Sequence, residues 1–73
     1  MLSNKSLAKL CYGVVRHLNN YPRWGEITDS QREYYCDDVH RATMRRPITE
    51  SNIEPEHAVI VQAVVDAYFE VTQ

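Results

Sequence analysis

Apolar residues near the start of the chain recur with the period of an α-helix. They lie three and four positions apart, which places them on one helical face: Leu7, Leu10, Cys11, Val14 and Leu18. Ser3 or Asn4 can cap the first turn, because either side chain can accept a hydrogen bond from a free amide there. Pro22 disfavours helical geometry at the residue before it. The pattern predicts a first helix over residues 4–19, with this apolar face in the core.

The second predicted helix begins at a capping box. Thr28 and Gln31 have the T-x-x-Q spacing, in which each side chain satisfies a backbone amide of the other residue. Apolar positions then follow on one face, at Tyr35, Val39 and Ala42. Pro47 stops the helix, because proline cannot donate the next hydrogen bond. These signals predict a second helix over residues 29–45.

The third predicted helix begins at Pro55, a residue that suits the first helical position because its missing N–H has no partner there. The run Ala58–Val61 also has strong β propensity. Polar residues nevertheless recur at helical spacing, at Gln62, Asp66, Glu70 and Gln73. The sequence offers no second strand for pairing. We therefore predict a helix over residues 55–72.

Together these segments predict an all-α fold, a compact three-helix bundle that forms a single domain over residues 1–73. A chain of 73 residues is too short for a nucleotide-binding α/β fold or a barrel enzyme. One Trp, five Tyr and one Phe, with 44% apolar residues, indicate a packed core rather than a disordered tail. Trp24 lies in the first loop, and we expect it to cover the end of this core.

Cysteine usage and hydropathy predict a soluble protein of the cytoplasm. Cys11 and Cys36 are the two cysteines and form no C-x-x-C pair, whereas small secreted domains carry more. Residues 1–10 contain no apolar core of a signal peptide. The apolar run at 58–65 is interrupted by Gln62 and is far shorter than the ~20 residues of a membrane span. We expect no membrane association.

Catalytic and metal-binding patterns are weak in this sequence. It has no Ser/His/Asp order, no phosphate-binding glycine loop and no H-E-x-x-H pattern, so we predict a protein that is not an enzyme and needs no cofactor. Cys36 and His40 have a spacing that can share a metal ion, which would also need Cys11 and either His17 or His57. The favoured interpretation is buried apolar cysteines, surface histidines and no metal site.

Charge is distributed unevenly, although the net charge is only −2. Residues 1–25 carry four basic and no acidic side chains, whereas residues 47–73 carry five acidic and no basic ones. The first helix places a basic and aromatic stripe opposite its predicted core face, at Lys5, Lys9, Tyr12 and Arg16. Such a stripe can bind nucleic acid, which is the alternative function. Three charges are few, so a solvated face or an acidic protein partner is favoured.

Two further surfaces are candidates for protein binding. The third helix is apolar over more than half of its circumference, which predicts self-association as a homodimer, or partner docking, through Ile60, Ala67, Val71 and Phe69. The alternative is that the long loops cover this excess. The second helix carries residue types that interfaces favour, and with the loop tryptophan they form the partner-binding candidates: Tyr34, Asp38, Arg41, Arg45 and Trp24. Ion pairing of Asp38 with its neighbours is the alternative there.

The segment at 21–42 follows an amphipathic first helix and carries Trp24, Ile27, Arg32, Tyr35 and Val39. This arrangement resembles small phage- and prophage-encoded helical proteins, over about the first 45 of the 73 residues. The resemblance implies an accessory protein that binds and modulates a host or phage component without catalysis, and it transfers no functional residue. The expected function is therefore a small protein-interaction module.

Overall fold

A computed structural model describes residues 2–46 and 51–72 and shows three α-helices packed on one another. They are α1 (Asn4–Asn19), α2 (Asp29–Thr43) and α3 (Pro55–Thr72), with a short 3₁₀ turn at Trp24–Glu26 between the first two. The described residues contain no strand. The predicted all-α three-helix bundle is confirmed. Within the same residues, no helix combines the length and the apolar content that a membrane crossing requires.

The ends of α1 follow from local hydrogen bonding. Ser3 caps the first turn, because its hydroxyl oxygen accepts from the amide of Ser6 at 3.2 Å. At the other end Asn20 takes left-handed geometry with φ of 58°. The amide of Tyr21 then donates to the carbonyl of Arg16 at 3.3 Å. This is a common way to end a helix, and it confirms the predicted range 4–19.

The predicted capping box of α2 is also present. The Gln31 amide donates to the Thr28 hydroxyl, and the Thr28 amide donates to the Gln31 side chain, both at 3.1 Å. The helix ends at Thr43, two residues before the predicted end, because Arg45 takes left-handed geometry with φ of 57°. Arg46 donates its amide to the carbonyl of Arg41 at 3.0 Å and closes the helix end. Pro47, the predicted stop, lies outside the described residues.

The core lies on the axis shared by the three helices. Its fully buried side chains come from every helix and include Leu7, Cys11, Val15, Val39, Val61 and Val65. Two contacts show that α1 and α3 run antiparallel. The Leu2 amide donates to the Tyr68 hydroxyl at 2.8 Å, and the Tyr21 ring meets the His57 ring edge-on at 5.6 Å.

The predicted core face of α1 is wrong for three of its five residues. Leu10, Val14 and Leu18 are exposed, although Leu7 and Cys11 are buried as expected. The buried face is turned around the helix axis and is completed by Ala8, Tyr12 and Val15. Tyr12 favours this orientation, because a tyrosine ring buries a large apolar area and can do so when its hydroxyl has a hydrogen-bond partner.

Tyr12 finds that partner in the loop after α1. Its hydroxyl donates to the carbonyl of Pro22 at 2.7 Å, and its ring lies 5.7 Å from Trp24 and 5.1 Å from Tyr35. Arg32 supports the same loop by donating to the Trp24 carbonyl at 3.0 Å. Trp24 is half-buried and packs against the core, as expected of a residue that covers its end.

We predict that truncating the core of α3 destabilises the fold, whereas the same change on its outer face does not. Val61→Ala should lower the free energy of unfolding by about 2 kcal/mol, because it leaves a cavity at a fully buried site. Val71→Ala is the matched control, since Val71 is 85% exposed on the same helix and should change stability by less than about 0.5 kcal/mol. Urea unfolding checks both. Equal losses in the two variants would contradict the assigned core.

Candidate interaction surface

The turned orientation of α1 leaves an apolar face in solvent. We call it the α1 face and define it by its groove-lining residues Leu2, Leu10, Gly13, Val14 and Leu18. A Cβ atom placed on Gly13 would meet nothing within 4 Å, so the backbone is open to close approach there. The leucines at 10 and 18 are 48% and 66% exposed. Covering each would contribute about 1 kcal/mol, so the whole face offers several.

Basic side chains lie along one edge of the α1 face. Lys5, Lys9 and Arg16 are all exposed, and Lys9 itself lines the groove. Within residues 2–46 and 51–72, no acidic side chain forms an ion pair with any of the three. The prediction that Tyr12 shares this stripe is wrong, because Tyr12 is buried and bonded to Pro22. The basic edge therefore lacks the aromatic group that would stack on a base.

The five partner-binding candidates do not form one surface. Asp38 was expected to point outward, and this is wrong, because the residue is only 1% exposed. Tyr34 and Trp24 are half-buried in different surroundings, and Arg45 is exposed beyond the end of α2. The helical period contains the missed signal, since Asp38 lies between Tyr35 and Ala42 on the buried face of α2.

Asp38 has a structural role that sequence analysis did not identify. Its carboxylate accepts a hydrogen bond from the Ser51 hydroxyl at 2.6 Å and pairs with Arg41 at 3.5 Å. The Ser51 hydroxyl oxygen in turn accepts from the Ile53 amide at 3.0 Å. Burial raises the pKa of Asp38, while the Ser51 hydrogen bond and the charge of Arg41 oppose that rise. The residue thus joins α2 to the segment before α3.

The four self-association candidates on α3 fall into two groups. Ala67 and Val71 are exposed. Ile60 and Phe69 are half-buried and pack against the core, and the Phe69 ring also meets Tyr68 at 5.6 Å. Phe69 lines a surface depression together with Ala42 of α2 and Arg45 beyond the end of that helix. The large apolar side chains of α3 that remain exposed are Val59 and Val71, at 68% and 85%.

The metal-ligand candidates are not brought together. Cys11 is buried, and burial raises the pKa of its thiol to about 12. Cys36 is half-buried, and His40 is exposed with its ring nitrogen 3.4 Å from the Asn4 amide. His17 lies beside the α1 face, whereas His57 is buried near Tyr21. Among the described residues, no group of three His, Cys, Asp or Glu side chains could hold a metal ion.

A second concave surface lies between the 3₁₀ turn and the first turns of α2 and α3. We call it the tyrosine groove, because four of the five tyrosines line it: Tyr12, Tyr21, Tyr34 and Tyr35. Glu26 and Glu54 also line it, together with the buried His57. Sequence analysis missed this groove, since its residues come from separate segments that only the folded chain brings together.

No protein-family model, curated protein or solved structure matches this chain. Two features stand out as candidates for binding. The first is the exposed α1 face with its basic edge, and the second is the tyrosine groove near the opposite end of α1 from Leu2.

We predict that Asp38 makes stability fall as the pH rises. The folded chain holds this proton more tightly than the unfolded chain, because the folded pKa of Asp38 is raised. Folding stability therefore decreases as the pH rises from about 3.9, the ordinary aspartate value, through the raised one. Asp38→Asn removes this titration. The free energy of unfolding of the variant should therefore rise relative to that of the original chain as the pH is raised from 3 to 7. Urea unfolding at a series of pH values measures the gain.

The control for this experiment is Asp66→Asn, which removes the same charge at an exposed position on α3. The Asp38 variant should show the larger change with pH, because only its side chain is buried. Identical pH profiles for the two variants would show that the buried carboxylate of Asp38 does not control this part of the stability curve.

Proposed function

We propose that this chain is a small, non-catalytic protein-interaction module that modulates a protein partner by binding it. The observation that carries the proposal is the α1 face, where Leu10 and Leu18 are exposed about two helical turns apart and the backbone between them is open at Gly13. Contiguous exposed apolar surface on a small soluble domain marks an interaction site more often than chance. The area lies on a regular helix, so its side chains are held in fixed positions.

The chemistry of the α1 face specifies its partner as an amphipathic helix with acidic flanks. From Leu2 to Leu18 the face spans about 24 Å, which matches several turns of a docked helix. Gly13 permits close approach of the partner backbone near the middle. Lys9 and Arg16 on the edge favour glutamate or aspartate beside the apolar stripe of the partner.

The biological setting is part of the same proposal. The pattern that includes Trp24, Arg32 and Tyr35 resembles small phage-encoded proteins, and this similarity supports a host or phage protein as the partner. The two free cysteines suit a reducing compartment, which supports the cytoplasm as the place of action. These two features support where binding takes place, whereas the α1 face supports how the partner is bound.

A designed helical peptide tests the proposal directly. The probe is a 20-residue amphipathic peptide with leucines on one face and glutamates on both flanks, and its counterpart carries lysines in place of the glutamates. We expect the glutamate peptide to bind at least about tenfold more tightly at low salt, a difference of about 1.4 kcal/mol. Fluorescence anisotropy measures both affinities. Raising the salt concentration should narrow the difference.

Two variants with equal exposure provide the control. Leu10→Ser should weaken binding of the glutamate peptide at least about fivefold, because it removes an apolar contact from the α1 face. Met44→Ser should leave binding unchanged, since Met44 is 49% exposed, almost the same as the 48% of Leu10, but lies at the end of α2. Equal effects of the two variants, or equal affinity for both peptides, would refute the proposal. Self-association that the peptide fails to displace would also refute it, because a second copy would then occupy the face.

A further inference from the structure

We propose that the tyrosine groove binds the guanidinium group of an arginine that a peptide or protein presents. This site is separate from the α1 face and does not depend on the function proposed for that face. The groove is concave and is bounded by the 3₁₀ turn, the first turns of α2 and the Asn52–Glu54 segment before α3. A side chain can therefore enter it from solvent.

Aromatic rings form the floor and the rim of the tyrosine groove. Tyr35 is buried at the floor, where its ring packs edge-on against Tyr12 at 5.1 Å. The Tyr12 hydroxyl is committed to the carbonyl of Pro22, so this ring is fixed in place. Tyr21 is exposed and Tyr34 is half-buried, which places them where an entering group would meet them. The faces of such rings carry negative charge density that attracts cations.

The charged groups of the lining are all acidic. Glu26 and Glu54 are its two carboxylates, and the lining contains no lysine or arginine. Burial raises the pKa of Tyr35, and the negative charges of nearby groups, including Glu54, raise it further. Burial also raises the pKa of Tyr12. The charge of Arg16 opposes that rise, and Glu26 adds a smaller contribution to it. Glu54 is therefore close enough to Tyr35, and Glu26 to Tyr12, to raise the pKa of the tyrosine hydroxyl.

Backbone hydrogen bonds hold both acidic residues in position, and the Arg23 amide also donates to the Glu26 carboxylate at 3.4 Å. The Glu26 amide donates to the carbonyl of Arg23 at 2.8 Å within the 3₁₀ turn. The carbonyl of Glu54 accepts from the amides of His57 and Ala58 at 2.9 and 3.0 Å, which fixes Glu54 at the start of α3. Two acidic side chains thus extend from fixed backbone positions in the lining of an aromatic groove.

This combination favours guanidinium over other cations. A guanidinium group is planar, stacks on aromatic faces and can donate to two carboxylates at once through its five N–H groups. A lysine ammonium is a compact and more strongly hydrated charge, and it cannot stack in this way. A free amino acid would also bring its own carboxylate near Glu26 and Glu54, which disfavours it against an arginine within a peptide.

An NMR titration of the full chain tests this inference. The probe is N-acetyl-arginine amide, and N-acetyl-citrulline amide is its uncharged counterpart of nearly the same shape. We expect the arginine probe to shift backbone amides around the groove, including those of Gln31 and Ile53, and to bind at least about fivefold more tightly than citrulline. N-acetyl-lysine amide and free arginine should both bind more weakly than the arginine probe.

Variants on α3 and before it supply the matched control. Glu54→Gln should weaken arginine binding at least about threefold, because it removes one carboxylate from the groove. Glu70→Gln removes the same charge from an exposed site outside the groove and should leave binding unchanged. Leu10→Ser should also have no effect, which separates this site from the α1 face.

Several results would overturn the inference. Equal binding of citrulline would show that charge is not recognised, and equal or tighter binding of lysine would exclude a guanidinium site. Tighter binding of free arginine would identify the amino acid, rather than a peptide, as the ligand. Equal losses in the Glu54 and Glu70 variants would show that only the overall charge of the protein matters.

Discussion

The burial of Tyr12 is the interaction on which the remaining structure depends. Its hydroxyl bonds to the carbonyl of Pro22, and its ring contacts Trp24 and Tyr35. These contacts fix the rotation of α1 about its own axis and hold the loop that follows it. The same rotation exposes Leu10, Val14 and Leu18 to solvent, although the apolar pattern of α1 predicts that they are buried. One aromatic anchor thus determines both the core of the bundle and its principal exposed surface.

The two candidate binding surfaces of the protein differ in their chemistry. The α1 face is apolar with a basic edge, whereas the tyrosine groove is aromatic and acidic. A net charge near zero conceals this separation, because α1 carries three basic and no acidic residues, whereas all ten acidic residues of the chain come after it. The α1 face consists of Leu2 and side chains of α1, whereas the tyrosine groove is lined by side chains from all three helices and the segments between them. Asp38, by contrast, uses its charge inside the fold.

Local signals in the sequence predict where the helices lie, but they do not predict which face of each helix is buried. The Thr28 capping box marks a helix start through bonds between neighbouring residues, and Pro55 marks another because its missing N–H costs nothing there, so both starts could be predicted. Two apolar faces of α1 compete, and contacts with the distant Trp24 and Tyr35 decide between them. Asp38 lies at a core position by helical period, but a buried carboxylate needs partners. The folded chain supplies them in Ser51 and Arg41, which are not adjacent to Asp38 in the sequence. The tyrosine groove could not be predicted, because its lining comes from three segments that are separate in the sequence.

The central claim is the orientation of α1, and the solvent exposure of its methyl groups tests that claim most directly. A soluble paramagnetic probe broadens NMR signals of methyl groups that it can approach. The account predicts strong broadening for Leu10 and Leu18, and protection for Leu7 and Val15, which are buried. Broadening of Val15 together with protection of Leu10 and Leu18 would contradict it, because α1 would then bury the opposite face.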